Sequence, residues 1–341
     1  MTTEHSKGKT KELIPSYRDI DNAIAALRGV AVETPLIEVP ELANELKLNS
    51  LHFKLESMQR TGSFKFRGAY WRCMQLRPDE KNNGVVAFSS GNFAQALPVA
   101  ASLVGTSTKI VMPIDAPLLK KKRAEKFGAE IILTDHGNEG REVVAEKKAK
   151  QISEQENRPL LHPFDDSHMI AGNSTAAVEI VETLKMRNYP LPDHVYCCSG
   201  GGGLISGIAI AFARYSSKTR VIPVEPEGFD STGQSLNTGK ATTLQITKNS
   251  ICDALQALKP GKVPFACLSS LNMGRPIVVL DNQVREAMSL AYELRRIILE
   301  PAGAAPLAAL INNANLVRNK DIVVIASGAN IQPQDFVSHI R

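Results

Sequence analysis

Short apolar segments alternate with longer amphipathic segments along most of this chain of 341 residues, and this alternation is the main constraint on its fold. The segments with strand character are Val85–Ser89, Lys109–Met112, Glu130–Leu133, Val195–Cys198, Val221–Val224 and Ile322–Ala326. The segments with helical periodicity are Phe93–Leu103, Leu118–Phe127, Arg141–Glu154, Asn173–Met186 and Val284–Leu299. Such alternation predicts an α/β protein with parallel sheets, in which ligands bind at the carboxyl ends of the strands.

The pattern also predicts two sheets of unequal size. The segment 82–157 has its own strand-helix-strand-helix-strand series and ends in the polar stretch Ser153–Arg158. A segment of this kind can fold as a smaller domain inserted into a larger one. We therefore expect a large domain of residues 1–81 and 158–341 and a small domain of residues 82–157, each with a parallel-rich sheet.

Composition and charge exclude several classes of protein. With 43% hydrophobic and 22% charged residues, the chain is globular rather than disordered or fibrous. The net charge of +5 is spread along the sequence, and the densest basic run, Lys120–Arg123, is interpreted as a solvated helix face rather than a nucleic-acid patch. The five cysteines follow no disulfide or metal spacing, and no apolar stretch reaches the roughly 20 residues that span a bilayer. We expect a cytoplasmic protein with no nucleic-acid or membrane partner.

Four consecutive glycines, Gly200–Gly203, follow the strand candidate Val195–Cys198, and the helical pattern Ile205–Tyr215 comes after Leu204. Glycine loses much backbone entropy on folding and buries no side chain, so we expect no packing reason for the run. A loop whose N–H groups converge on an anion at a helix N-terminus explains it, and a flexible turn is the alternative. The loop matches neither G-x-G-x-x-G nor G-x-x-x-x-G-K-[ST], which argues against a dinucleotide or a nucleoside triphosphate.

Lys65 lies between Phe64 and Phe66 and is followed by Arg67, shortly after the extended segment Leu51–Leu55. Apolar surroundings or neighbouring cations lower the pKa of a lysine amine and make it a better nucleophile, and these neighbours offer both. A surface lysine on a helix is the alternative.

Two more strand candidates end in small polar residues. Ser89–Gln95 follows one strand and begins a helix, where side chains and N–H groups can bind a carboxylate or simply cap the helix. Ala326–Asn330 follows the last strand, where a tight turn is the alternative. Strand ends that share Ser, Gly and Asn predict one common ligand site.

Taken together, these motifs resemble those of the fold-type-II pyridoxal-phosphate enzymes, in the threonine/serine dehydratase and serine racemase branch. The resemblance extends from about Asp19 to about Gln334. The branch motifs S-F-K-x-R-G-A, S-S-G-N-H-[AG]-Q, G-G-G-G and S-G-[AG]-N match Ser63–Ala69, Ser89–Gln95, Gly200–Gly203 and Ser327–Asn330. Threonine synthases resemble an S-F-K-D-R form, and the sulfhydrylase and cystathionine synthase branch favours S-G-N-T-G and G-T-G-G-T. This sequence follows neither.

The resemblance implies a role for each matched residue. Lys65 would carry pyridoxal 5'-phosphate as a Schiff base beside Phe64, with Asn92 near the phenolic oxygen and Ser327 near the pyridine nitrogen. The cofactor phosphate would be bound by Gly200, Gly201, Gly202, Gly203 and Leu204. The substrate carboxylate would be bound by Ser89, Ser90, Gly91, Asn92 and Gln95. Ser90 would also be placed to deliver a proton on the cofactor face opposite Lys65.

The same resemblance implies a site in the cleft between the two sheets and an activity on a small amino acid. The expected reaction is elimination of water from a β-hydroxy amino acid, which gives a 2-oxo acid and ammonia. Racemisation through Ser90 is one alternative, and a non-catalytic protein that binds pyridoxal phosphate is another. A homodimer or homotetramer is the expected assembly.

Three features bear on substrate and regulation. Phe93 stands where the branch usually has His, which leaves the substrate preference open. Only fourteen residues follow Ser327, so we expect no appended effector domain. The segment Glu225–Asp230 resembles a region where some relatives bind magnesium, but Asp230 is one residue out of their spacing. A divalent cation with oxygen ligands therefore stays open.

Overall fold

The computed structural model describes residues 14–116, 118–135, 137 and 140–340. The strands are β1 (Leu36–Glu38), β2 (Ser50–Lys54), β3 (Val85–Phe88), β4 (Thr108–Pro113), β5 (Ala129–Thr134), β6 (His194–Cys198), β7 (Arg220–Pro226), β8 (Ile277–Val279) and β9 (Asp321–Ile325). The helices are α1 (Tyr17–Leu27), α2 (Pro40–Glu45), α3 (Lys65–Met74), α4 (Pro78–Asn83), α5 (Asn92–Leu103), α6 (Leu118–Lys126), α7 (Arg141–Glu156), α8 (Ser167–Met186), α9 (Gly203–Tyr215), α10 (Ser231–Thr238), α11 (Lys262–Ser269), α12 (Asp281–Arg295), α13 (Pro301–Asn312) and α14 (Pro333–His339).

The strands form two sheets. The larger sheet has the order β1-β2-β9-β6-β7-β8, in which β1 is antiparallel to β2 and the other pairs are parallel. The smaller sheet has the order β3-β4-β5 and is parallel. The predicted α/β fold with two parallel-rich sheets is therefore confirmed. In the part of the chain that the structure describes, no helix combines the length and the apolarity needed to cross a membrane.

The smaller sheet is buried on both faces, and its strands supply alternate residues to two cores. Val85 and Ala87 face a core that includes Phe66 of α3 and Met169 of α8. Val86 faces a separate core built with α7. This is the alternation expected along a strand. All three strands lie within 82–157, but one of the two cores also contains residues from outside that segment, and the domain boundaries stay a prediction.

The two largest differences from the predicted helix boundaries lie at the start of α8 and at the end of α12. α8 begins at Ser167 rather than Asn173, because the Asp166 side chain accepts the N–H groups of His168 and Met169 and caps the helix before its apolar pattern starts. α12 ends at Arg295 rather than Leu299, because Arg296 adopts a left-handed conformation with φ of 56°.

Arg67 is fully buried in a cluster of ion pairs that links α3 to its surroundings. Its Nε lies 2.7 Å from Oε2 of Glu56, and its Nη1 lies 2.6 Å from Oε1 of Glu179 on α8. Lys54, at the end of β2, pairs with the second oxygen of Glu179. The cluster thus joins the larger sheet, α3 and α8, and each charge in it has a partner, as burial requires.

We expect Arg67→Ala to lower the free energy of unfolding by about 3–5 kcal/mol, since it leaves the buried carboxylate of Glu56 without its cation. Denaturant titration of the cofactor-free protein measures this loss. Arg77→Ala is the control, because the Arg77 side chain is 67% exposed in its pair with Asp79 and should be dispensable. Equal stability of the Arg67 variant and the parent would contradict the role of the cluster.

Candidate active site

The predicted motifs meet at the carboxyl ends of the strands. Tyr196 of β6 is level with Val324 of β9 in a parallel register, so the loops that follow these strands lie side by side. The Cys198 thiol, at the end of β6, donates to Oγ of Ser327 at 3.4 Å. The glycine loop and the Ser327 loop are therefore neighbours, as the pattern of strand ends predicts.

The segment before Lys65 pairs directly with the Ser327 loop. Ser63 and Gly328 form an antiparallel bridge, and the N–H of Phe64 donates to the carbonyl of Ser327 at 3.1 Å. A Cβ on Gly328 would lie 2.2 Å from Oε1 of Glu300, so any other residue at position 328 would displace the Glu300 carboxylate. This pairing holds Lys65 beside Ser327.

Lys65 begins α3 and turns its amine towards a backbone carbonyl. Its Nζ donates to the carbonyl of Pro163 at 2.8 Å and lies 5.1 Å from the ring centroid of Phe64. Burial lowers the pKa of Lys65 to about 8, although the nearby Cys198 and Glu300 act in the opposite direction. The expectation of a lowered pKa through apolar surroundings therefore agrees with the structure.

The predicted contribution of Arg67 to this pKa is wrong. Arg67 is engaged by Glu56 and Glu179 and is not among the groups that shift the pKa of Lys65. Phe66 also turns away and stacks on Tyr70, with 5.9 Å between ring centroids.

The glycine loop offers backbone donors at the N-terminus of α9. Among the described residues, the N–H groups of Gly200, Gly201, Gly202, Gly203 and Leu204 have no protein acceptor. Gly202 has a φ of 90°, which favours glycine. Unbonded N–H groups at a helix N-terminus form an anion site.

The expectation that these glycines serve no packing purpose is wrong. A Cβ on Gly201 would lie 2.3 Å from Cδ2 of Phe164, and one on Gly202 would lie 2.7 Å from Cβ of Pro264. Phe164 follows Pro163, the residue whose carbonyl accepts from Lys65. The tight packing therefore also fixes the distance between the glycine loop and the lysine.

The Ser89–Gln95 loop presents groups without protein partners. Gly91, rather than a Ser or Asn side chain, occupies the N-cap position of α5, so side-chain capping does not explain the motif. A Cβ on Gly91 would meet open space. The Nε2 of Gln95 is buried and has no hydrogen-bond partner in the described part of the chain. Phe93 is 1% exposed and packs in the core between α3 and the smaller sheet.

Asn92 is held by side chains that the sequence analysis did not assign. Its Nδ2 donates to Oε1 of Glu300 at 2.6 Å, and its Oδ1 accepts from Nδ2 of Asn330 at 2.7 Å. Glu300 is buried, and burial, with a smaller effect from Asp253, raises its pKa to about 7. The available signal was a lone carboxylate after an apolar run, immediately before Pro301, which starts α13.

The basic run on α6 is not simply a solvated face. Lys120 pairs with Asp253, and Nη1 of Arg123 donates to Oδ1 of Asn330 at 3.4 Å. Both partners lie in segments that connect elements of the larger sheet, so this part of α6 contacts that half of the structure.

The Glu225–Asp230 segment does not present a cation site. Glu225 is 1% exposed, and its two oxygens accept the N–H groups of Thr232 and Gly233, each at 2.8 Å. Asp230 instead accepts from the Gln234 amide. The described residues contain no group of three or more His, Cys, Asp or Glu side chains placed to hold a metal. Because both oxygens of Glu225 are engaged by the N–H groups at the start of α10, they do not fit the role of cation ligands.

A buried lysine amine of lowered pKa and a helix N-terminus with unbonded N–H groups are features expected of a site for a phosphorylated cofactor that carries an aldehyde. The chain belongs to the pyridoxal-phosphate-dependent enzymes, since the family described as "Pyridoxal-phosphate dependent enzyme" matches residues 27–328. It is a fold-type-II member in the branch of threonine/serine dehydratases and serine racemases.

Three relatives illustrate the branch. A serine racemase from Schizosaccharomyces pombe is 33% identical over 319 residues, which cover 94% of this chain and 95% of that protein. An L-threonine ammonia-lyase from Thermotoga maritima is 34% identical over 93% of this chain and 76% of its own length. The structure of threonine deaminase isoform 2 from Solanum lycopersicum aligns with a TM-score of 0.87 at 30% identity, covering 96% of this chain and 92% of that one.

We expect Gly201→Ala to destabilise the fold by about 1–3 kcal/mol, because the added Cβ overlaps the Phe164 ring. Thermal unfolding of the cofactor-free protein measures this effect separately from cofactor binding. Gly91→Ala is the matched control and should have a much smaller effect, since its Cβ meets open space. Equal melting temperatures for the two variants would show that the Gly201 contact is unimportant.

The lowered pKa of Lys65 predicts how the cofactor-free protein takes up pyridoxal phosphate. Only the neutral amine attacks the aldehyde, so the attachment rate should rise with pH and level off above a midpoint near pH 8. An exposed lysine would give a midpoint near pH 10.4. Stopped-flow absorbance over a pH series measures the rate, with Lys65→Ala as the blank. A midpoint at the value of an exposed lysine would contradict the burial argument.

Proposed function

We propose that this protein removes water from a small β-hydroxy amino acid of the serine or threonine type and releases a 2-oxo acid and ammonia. The observation that carries the proposal is the buried amine of Lys65, of lowered pKa, at the point where the strand-end loops meet. The named activities of the T. maritima ammonia-lyase and the tomato threonine deaminase support this choice.

The residues present fit pyridoxal phosphate. The N–H groups of Gly200–Gly203 and Leu204 would bind its phosphate, and Lys65, beside Phe64, would carry its aldehyde carbon. Ser327 would face the pyridine nitrogen, with Cys198 donating to its oxygen. A neutral hydroxyl in that place does not enforce protonation of the ring, which favours elimination over transamination.

The Ser89–Gln95 loop would bind the substrate carboxylate. Among the described residues, the N–H groups of Ser90, Asn92 and Phe93 have no protein acceptor, and they lie at the start of α5. Open space at Gly91 leaves room for the carboxylate, and the unpaired Nε2 of Gln95 adds a further donor. Ser89 holds the loop by accepting the N–H of Gly91 at 3.2 Å.

Lys65 would then act as the base. Bound pyridoxal phosphate supplies the electron sink that makes the α-proton of an amino acid removable. The neutral Nζ of Lys65 takes that proton, and burial favours this neutral form. The β-hydroxyl then leaves with a proton as water, and one water is consumed when the nitrogen is released as ammonia. The net change is one β-hydroxy amino acid to one 2-oxo acid and one ammonia.

Racemisation of the same substrate is the second candidate. Ser90 is half-buried, and no hydrogen bond of its side chain is found among the described residues, so its hydroxyl is available as a second proton donor. The named activity of the serine racemase from S. pombe supports this alternative, and its 33% identity to this chain is close to the 34% of the T. maritima ammonia-lyase. Cytoplasmic location and a homodimeric or homotetrameric assembly stay predictions.

Lys65→Ala should abolish turnover, with a loss on the order of 10³-fold or more, because it removes both the cofactor attachment and the base. Lys262→Ala is the control, since Lys262 is exposed. Borohydride reduction followed by peptide mapping identifies the lysine that carries the cofactor. A phosphopyridoxyl group on any other lysine would overturn the assignment.

The reaction itself is tested with both enantiomers of serine, threonine, 3-hydroxyaspartate and phenylserine. Release of a 2-oxo acid from at least one of them supports elimination. Chiral analysis of the unconverted substrate detects racemisation. Inversion without 2-oxo acid would favour the racemase and count against the dehydratase.

A further inference from the structure

A series of hydrogen bonds crosses the site through Asn92 and through Asn330 and Glu300, to which the proposed reaction gives no role. Nη1 of Arg123 donates to Oδ1 of Asn330 at 3.4 Å, and Nδ2 of Asn330 donates to Oδ1 of Asn92 at 2.7 Å. Nδ2 of Asn92 then donates to Oε1 of Glu300 at 2.6 Å. This series of hydrogen bonds therefore begins on α6 beside the smaller sheet and ends on the Glu300 carboxylate at the start of α13.

The orientation of the Asn330 amide is determined by partners that can act in one way only. Its Nδ2 donates to the carbonyl of Thr61 at 2.8 Å, and a carbonyl only accepts. Its Oδ1 accepts from Arg123, and a guanidinium only donates. The same Oδ1 lies close against Gly62, where a Cβ would stand 2.5 Å away. Asn330 must therefore present its amino group, not its oxygen, to Asn92.

Glu300 is the acceptor at the other end of this series of hydrogen bonds. Its carboxylate is buried, accepts from Asn92, and also accepts the backbone N–H of Asn330. The titratable groups that face it are Lys65, Cys198, Asp253 and Lys120. In its carboxylate form Glu300 only accepts, so it requires that Asn92 turn its Nδ2 towards it.

We propose that Asn330 and Glu300 are positioning residues that lock the carboxamide of Asn92 in one orientation, so that Nδ2 and not Oδ1 faces the cofactor. The proposal rests on the proposed place of Asn92 beside the phenolic oxygen of pyridoxal phosphate. Nδ2 carries two hydrogens, of which Glu300 takes one, so the second can be donated to that oxygen. If the Asn92 amide were flipped, its Oδ1 would face two other acceptors, the Glu300 carboxylate and the phenolic oxygen. Cofactor binding would then be weaker.

Asn330→Asp is the sharpest test, because it keeps the oxygen that accepts from Arg123 and replaces the donor that faces Thr61 and Asn92 with an acceptor. We expect Asn92 to flip, the phenolic oxygen of the bound cofactor to become protonated, and the cofactor affinity to fall on the order of tenfold. The ratio of the two absorbance bands of the bound cofactor and an equilibrium titration of the cofactor-free protein measure these effects. Asn49→Asp is the control, since Asn49 makes the same donation to a backbone carbonyl, that of Asn319, at an exposed place.

Two Glu300 variants keep the test decisive if Asn330→Asp does not fold. Glu300→Gln retains an acceptor and should preserve the parent spectrum, whereas Glu300→Ala should shift it as Asn330→Asp does. Parent-like spectra and affinities in Asn330→Asp, or in Glu300→Ala if the former is unfolded, would overturn the proposal.

Asn92→Ala separates this proposal from the proposed function. A shifted spectrum in Asn92→Ala with parent-like Glu300 and Asn330 variants would refute the positioning role alone. A parent-like spectrum in Asn92→Ala would refute the place of Asn92 beside the phenolic oxygen, and the positioning role with it.

Discussion

The buried guanidinium of Arg67 is the interaction on which the geometry of the site depends. Lys65 and Arg67 lie in the first turn of α3, and Arg67 is tied to Glu56 before that helix and to Glu179 on α8. Glu56 is fully buried and cannot lose its cation without a large cost, so its pairing with Arg67 restrains rotation and sliding of α3. The position of Lys65 relative to the larger sheet follows from this restraint, and its lowered pKa follows from the burial that the restraint imposes.

The site also depends on places where the backbone comes close to another segment of the chain. Glycines at these places serve both packing and ligand binding. Gly328 passes Glu300 at a distance that no Cβ permits, and Gly201 does the same against Phe164. In both loops the absence of a side chain lets a segment that follows a strand approach the segment that precedes a helix elsewhere in the chain. At the glycine loop it also leaves N–H groups free for an anion. Packing and ligand binding are therefore combined demands on the same residues.

Much of the fold could be predicted because periodicity reports local burial. The six predicted strands are present, since buried parallel strands appear as short apolar runs between helices. β1 and β8 were missed because three residues carry too little pattern. α13 was missed for a different reason: its sequence PAGAAPLAALIN is buried almost throughout, and a helix without a polar face shows no amphipathic period.

The sequence by itself determined the α/β class, the branch of the family and the identity of the residues in the matched motifs, because each of these is encoded over a few neighbouring residues. Only the tertiary structure decided how Arg67 is neutralised, why Gly201 must be a glycine and which groups surround Asn92. Asn92 and Glu300 are 208 residues apart in sequence, and no local pattern reports their contact. Contacts of this kind arise from sheet order and strand register, which bring distant strand ends together after the local elements have formed.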